Sequence, residues 1–156
     1  MAIHIALVEP EIPPNTGNVA RSCAATESTL HLVKPLGFSI DDKQVRRAGL
    51  DYWPFVKLEV HESLNEFLSE NSEKTMYFVE TNGEKLYTDV KFCDGDIIVF
   101  GKETEGLPCH VIDEHPGETI RIPMSEDTRR RSLNLSNAVS IVLFEALRQL
   151  GFPNLK

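Results

Sequence analysis

Short apolar runs of strand length recur along this chain, and each passes into a polar, turn-rich stretch before the next element. That alternation limits the fold more than any other feature. Residues 2–8, 30–33, 58–60, 75–81, 96–100 and 119–122 read as strands, the run 96–100 being the clearest buried one. Between them lie helical patterns. One starts near Asn15 or Thr16, either of which can cap free N–H groups, and runs to about Thr26. A second opens at Asp41-Asp42, with Lys43, Arg46 and Arg47 further along, an order that suits the helix dipole. Others are expected over 62–68, 108–114 and 136–150, the last closed by Gly151 and Pro153. Strand and helix in turn predict an α/β fold, a mostly parallel sheet with helices on both faces. No repeat, low-complexity tract or linker interrupts the pattern, so residues 1–156 read as a single domain.

Composition removes several classes of function. An apolar share of 41% over 156 residues is enough for a real core. No charged segment precedes an apolar stretch at the N-terminus, and no run approaches the roughly 18 residues of a membrane span. A cytoplasmic protein without membrane contact is expected. Three cysteines, Cys23, Cys93 and Cys109, show no close pairing, which argues against a disulfide framework or a Cys-x-x-Cys site. His4, His31, His61, His110 and His115 are scattered, and no metal is expected. The net charge of −8 argues against a generic nucleic-acid binder. Any RNA contact must be local, at Lys43, Arg46 and Arg47 or at Arg129, Arg130 and Arg131.

Three polar segments each follow a strand: Pro14 to Asn18, Gly101 to Gly106, and Pro123 through Asn137. Ligands of open parallel sheets bind outside the carboxyl ends of the strands, so the three are expected to converge on one edge. The familiar nucleotide motifs are missing. There is no Gly-x-Gly-x-x-Gly after the first strand, no P-loop at Gly101-Lys102-Glu103, and no Gly-x-Ser-x-Gly elbow.

Taken in order, Asn15-Thr16-Gly17-Asn18-x-x-Arg21, Phe100-Gly101-x-Glu103-x-x-Gly106, and Ile122-Pro123-Met124 with Ser132-Leu133-Asn134-Leu135-Ser136-Asn137-Ala138 resemble the three motifs of the SPOUT superfamily of RNA methyltransferases. Glu9 to Pro13, Leu36-Gly37-Phe38, Arg46 to Tyr52 and Glu145 to Gly151 resemble its minimal branch, which 2′-O-methylates the wobble nucleotide of tRNA. The resemblance covers essentially the whole chain.

The resemblance implies a C-terminal trefoil knot, a class of topology that base rates alone would never suggest. It implies S-adenosylmethionine held by Val79, Thr81, Gly101, Glu103, Gly106, Ile122 and Ser132, with no metal. It implies catalytic work by Arg21, supported by Asn15, Ser132 and Asn134. A guanidinium holds its proton above pH 12, so Arg21 is better suited to anchoring phosphate and orienting the hydroxyl than to acting as general base. The implied partner is the tRNA anticodon stem-loop, gripped by Arg46, Arg47, Arg129, Arg130 and Arg131. Tyr52, Trp53 and Phe55 either stack on bases or pack. The helix 136–150 carries Val139, Val142, Leu143, Ala146, Leu147 and Leu150 on one stripe, widened by Ile141 and Phe144. That width, with the family's habit, implies a homodimer through this helix.

The chain departs from the branch at three places. The loop 125–131 is about two residues longer, which leaves open which of Arg129, Arg130 and Arg131 takes the family's position. Glu80 replaces a threonine, and Pro13-Pro14 stiffens the loop before Asn15. The alternatives to wobble methylation are 2′-O-methylation of another tRNA or rRNA nucleotide, and RNA binding without catalysis around a vestigial cofactor pocket.

Overall fold

The computed structural model describes residues 3–130 and 132–156. Seven strands form one sheet in the order β3-β2-β1-β6-β4-β7-β5, and every strand pair is parallel. The strands are β1 (His4–Val8), β2 (Thr29–Val33), β3 (Lys57–His61), β4 (Met76–Val79), β5 (Lys85–Leu86), β6 (Ile97–Phe100) and β7 (Thr119–Arg121). Helices α1 (Pro13–Ala25), α2 (Lys43–Gly49), α3 (Leu64–Glu70), α4 (Cys109–Glu114) and α5 (Leu135–Gln149) connect or follow them. A 3-10 turn, Leu50–Phe55, follows α2, and a shorter one, Thr128–Arg130, precedes α5.

The period-2 pattern of the strands sorts their side chains between two cores. Ile5, Leu7, Ile98 and Phe100 pack with Val19, Ala20 and Cys23 of α1 and the inner stripe of α5. Ala6, Val8, Ile97 and Val99 point the other way and pack with Phe67 of α3 and Val111 of α4. Each central strand is therefore buried on both faces, which is why 97–100 is an uninterrupted apolar run.

The expected fold class is present, with local differences. The helix α1 begins at Pro13, and neither Asn15 nor Thr16 caps it; both side chains are buried inside its first turns. The prolines suit the start, since the first helical N–H groups have no partner within the helix. Strand β5 was not expected, because two residues carry no periodicity. Its pairing with β7 follows from where the chain lies: a Cβ on Gly83 would fall 2.3 Å from the Ile120 carbonyl carbon. Only glycine permits that approach.

On the α3 side, three imidazoles cross β1, β2 and β3 edge to edge. His4 Nδ1 lies 2.8 Å from His31 Nε2, His31 Nδ1 lies 2.9 Å from His61 Nε2, and His61 Nδ1 lies 3.0 Å from Glu70 Oε2. A carboxylate only accepts, so His61 donates to Glu70 from Nδ1. Phe67 packs its edge against His31 and His61. Burial drives the His31 pKa down to about 3, with its two histidine neighbours adding to the effect.

Candidate active site

The carboxyl ends of β4, β6 and β7 open onto a cleft of about 580 Å³, a size that suits a nucleoside-bearing ligand. The three motif segments, remote in sequence, meet there. Asn15 comes from α1, Gly101, Glu103 and Gly106 from the loop after β6, and Ser132 and Asn134 from the approach to α5. Val79, Thr81 and Ile122 complete the wall, so all seven expected cofactor positions line one space.

Hydrogen bonds tie the segments into one frame. Ile12, at the cap position of α1, has no side-chain acceptor to offer its helix. Glu103 ties down the chain just before it: its carboxylate accepts from the Glu11 N–H at 2.8 Å, the Ile12 N–H at 3.0 Å and Asn15 Nδ2 at 3.4 Å. A carboxylate at a helix N-terminus also meets the positive end of the dipole. Glu11 returns the link, its carboxylate accepting from Thr104 Oγ1 at 2.7 Å and Thr104 N at 3.2 Å. The Thr104 hydroxyl holds the Glu11 carboxyl below its usual range.

Asn15 passes the connection on. Its Oδ1 accepts from Asn134 Nδ2 at 2.9 Å. Asn134 Oδ1 in turn caps α5, accepting from Ser136 N at 2.9 Å and Asn137 N at 3.4 Å. Glu103 can only accept and the α5 N–H groups can only donate, so both amide orientations follow from their neighbours. Asn15 and Asn134 thus hold the walls together while their outer edges face the cleft.

Two features explain the loop between β6 and α4. A Cβ on Gly101 would lie 2.2 Å from the Gly106 carbonyl carbon, so the loop closes on itself only because residue 101 is glycine. Gly106 has φ +68°, and a Cβ there would press against the Glu80 carboxylate at 3.3 Å. Glu80 Oε1 accepts from Leu107 N at 2.8 Å and pins the loop to the end of β4. Burial pushes the Glu80 carboxyl up. Sequence reasoning marked Glu80 only as a departure from a pattern and missed this bond, as it missed Glu11–Thr104. Lys102, also on the wall, lies 3.6 Å from both Glu9 and Glu105.

Arg21 is not on the wall of this cleft. It is exposed on α1, six residues beyond Asn15, and its guanidinium sits 5.2 Å from the centre of the Tyr52 ring. Arg46 likewise covers the Trp53 ring at 5.2 Å and pairs with Asp41 at 2.9 Å. Arg47 is exposed beside it on α2. Arg129 binds Asp127 through Nη2 at 2.8 Å, and Arg130 Nε lies 3.6 Å from the same carboxylate. Arg131 lies outside the described residues.

The residues present fit an adenosyl cofactor. Glycines at 101 and 106 let the backbone of the wall come close, and Glu80 adds an acidic group suited to a cationic ligand. No helix among the described residues is long and apolar enough to cross a membrane.

The chain is similar to known proteins over nearly its whole length. The SpoU rRNA Methylase family profile matches residues 2–144. The tRNA (cytidine(34)-2′-O)-methyltransferase of Escherichia coli (strain K12) is 49% identical over 152 residues, covering 97% of this chain and 96% of that protein. A solved structure described as giving insights into the 2-OH methylation of C/U34 on tRNA superposes with a TM-score of 0.90 at 42% identity, over 96% of this chain and 97% of that one. The SpoU methyltransferase AviRb from Streptomyces viridochromogenes, solved in complex with AdoMet, shares the fold with a TM-score of 0.85 at 22% identity, over 96% of this chain and 60% of that one.

Proposed function

The chain belongs to the SpoU rRNA methylase family, and on that footing we propose that it moves a methyl group from S-adenosylmethionine to the ribose 2′-hydroxyl of the tRNA wobble nucleotide, cytidine or modified uridine. The observation that carries this reading is the convergence of Asn15, Glu103 and Asn134, which joins three remote segments into one cleft. Similarity to relatives named for cytidine 34 over nearly the whole chain supports the position.

When bound, S-adenosylmethionine supplies an electrophilic methyl group on a positively charged sulfur. The backbone at Val79, Thr81, Gly101, Gly106 and Ile122, with Ser132, would hold it, and Glu80 favours its positive charge. Glu103, Asn15 and Asn134 keep the walls at fixed separation, so the acceptor hydroxyl meets a prearranged partner. Such positioning can lower a barrier by roughly 7–11 kcal/mol. Arg21 is assigned to the substrate side. Its permanent charge anchors the phosphate next to the target ribose and orients the hydroxyl. Because Arg21 does not line the cleft of its own chain, this role fits an RNA that runs along α1, or a site completed by a second copy.

The same reading includes a C-terminal trefoil knot, as the family resemblance implies. It includes a single domain and a homodimer through residues 136–150. The inner stripe of α5 is covered by the sheet, whereas Ile141 and Phe144 are 37% and 48% exposed and lack cover. Arg46, Arg47, Arg129, Arg130 and Arg131 are assigned to tRNA phosphates, local contacts that an overall acidic chain permits because salt screens distant charge within about 10 Å.

Incubation with labelled S-adenosylmethionine and wobble-unmodified tRNA, followed by nucleoside mapping, tests the reading. Label on the ribose at position 34 is the expected result. Label at another nucleotide would replace the substrate, and no label from protein that binds the cofactor would remove the activity.

A further inference from the structure

The 3-10 turn after α2 has a part that the cleft does not account for. Phe55 is 74% exposed, more than any other large apolar side chain among the described residues. Its neighbours in sequence, Trp53 and Val56, pack against the core, so the ring stands on an anchored base. Trp53 Nε1 donates to the Val45 carbonyl at 3.4 Å, Val56 N donates to the Trp53 carbonyl at 3.2 Å, and Pro54 restricts the backbone between them. An exposed aromatic held on a stiff turn costs little entropy when something stacks on it.

The surroundings lean basic, with four cations against Asp41 and Asp42. Arg21 lies over Tyr52, Arg46 over Trp53, and Lys43 and Arg47 are exposed on the adjoining helix. Asp41 engages Arg46, but both groups are exposed and such a pair is weak. In a chain of net charge −8, four cations on neighbouring elements form a local exception. Arg21 stands six residues from Asn15, roughly 9 Å along the α1 axis, so the patch begins close to the cleft.

We propose that Phe55 is a stacking face for an unpaired RNA base beside the target nucleotide, with the Arg21–Tyr52 and Arg46–Trp53 pairs as its phosphate-binding flank. This rests on the reading that RNA is the substrate and adds where the RNA lies. Unpaired bases stack on aromatic rings whatever their identity, and cations beside the ring track the backbone. A second copy of the chain fits the patch less well, because a two-fold contact centred on Phe55 would bring the basic flanks toward each other.

The test compares wild type with Phe55→Ala, Phe55→Leu and Phe55→Trp. Affinity is measured for an anticodon stem-loop RNA with 2-aminopurine beside the target, alongside cofactor affinity and molecular mass in solution. Stacking predicts that Phe55→Ala weakens RNA binding about five-fold or more and relieves 2-aminopurine quenching. Phe55→Leu does not restore either signal, Phe55→Trp does, and cofactor affinity and mass stay unchanged. Equal RNA binding by wild type and Phe55→Ala overturns the stacking face and leaves the methyltransferase reading standing. A change of mass in Phe55→Ala assigns the surface to a protein contact and overturns it as well. A wild-type protein that binds no RNA overturns both.

Discussion

Asn134 joins two jobs in one side chain, capping α5 with its oxygen and holding Asn15 with its nitrogen. Asn134→Ala should cost about 1 kcal/mol in denaturant unfolding through the lost cap. Turnover should fall more than that loss implies, by about ten-fold or more, because the walls of the cleft lose their shared bond. Gly101→Ala makes a different demand. Its Cβ would meet backbone at 2.2 Å, so the loop must move, and calorimetry should show cofactor binding lost while the far edge of the sheet keeps its amide protection. At this scale the sequence singled out residues that the structure brings to one cleft, Asn15 and Asn134 among them, and was silent about how they are joined. Asn15 or Thr16 was expected to cap the helix, but Asn15 instead gives its side-chain N–H to a carboxylate 88 positions away in the chain, a pairing that a one-dimensional pattern cannot express. Glu80 was visible only as an oddity, because its partner is a backbone N–H that carries no side-chain signature.

Among the elements, the edge formed by β1, β2, β3 and α3 carries a chain of hydrogen-bonded imidazoles. His31 titrates near pH 3 when folded and near 6.5 when unfolded, so between those values the unfolded state binds more protons. Its contribution is full above about pH 6.5 and declines as pH falls toward 3. Burial also lowers the His4 pKa, which acts in the same direction. The unfolding free energy from urea titrations should drop across this window by an amount on the order of a few kcal/mol, and His31→Asn should flatten the profile. A profile as steep in the variant as in wild type would assign the acid sensitivity elsewhere. The helices and the longer strands were legible because burial on one or both faces imprints a period on the sequence. Strand β5 was not, since its two residues pair with β7 through the close approach at Gly83 rather than through any pattern of their own.

For the whole molecule, charge and assembly set the terms of RNA binding. If local cations carry the affinity, it should fall steeply with salt, and Arg46→Ala should reduce the logarithmic salt slope by about 0.7 to 1. An unchanged slope would place Arg46 outside the RNA contact. Arg21→Ala should abolish methyl transfer while cofactor binding persists, since Arg21 is not on the cleft wall. Phe144→Glu should lower the mass in solution if α5 is the dimer contact, because a charge would be buried without a partner.

The sequence by itself determined the class of fold, the order of its elements apart from β5, and the three segments that meet at the cleft. Each is written locally, in apolar period, turn residues or short motifs. Only the tertiary structure decided which groups share a hydrogen bond across the cleft, which aromatic of the turn after α2 stays uncovered, and that Arg21 faces Tyr52 rather than the cofactor wall. Those outcomes depend on distances between residues far apart in the chain, which are settled when the sheet closes and the glycines at 83 and 101 let backbone meet backbone.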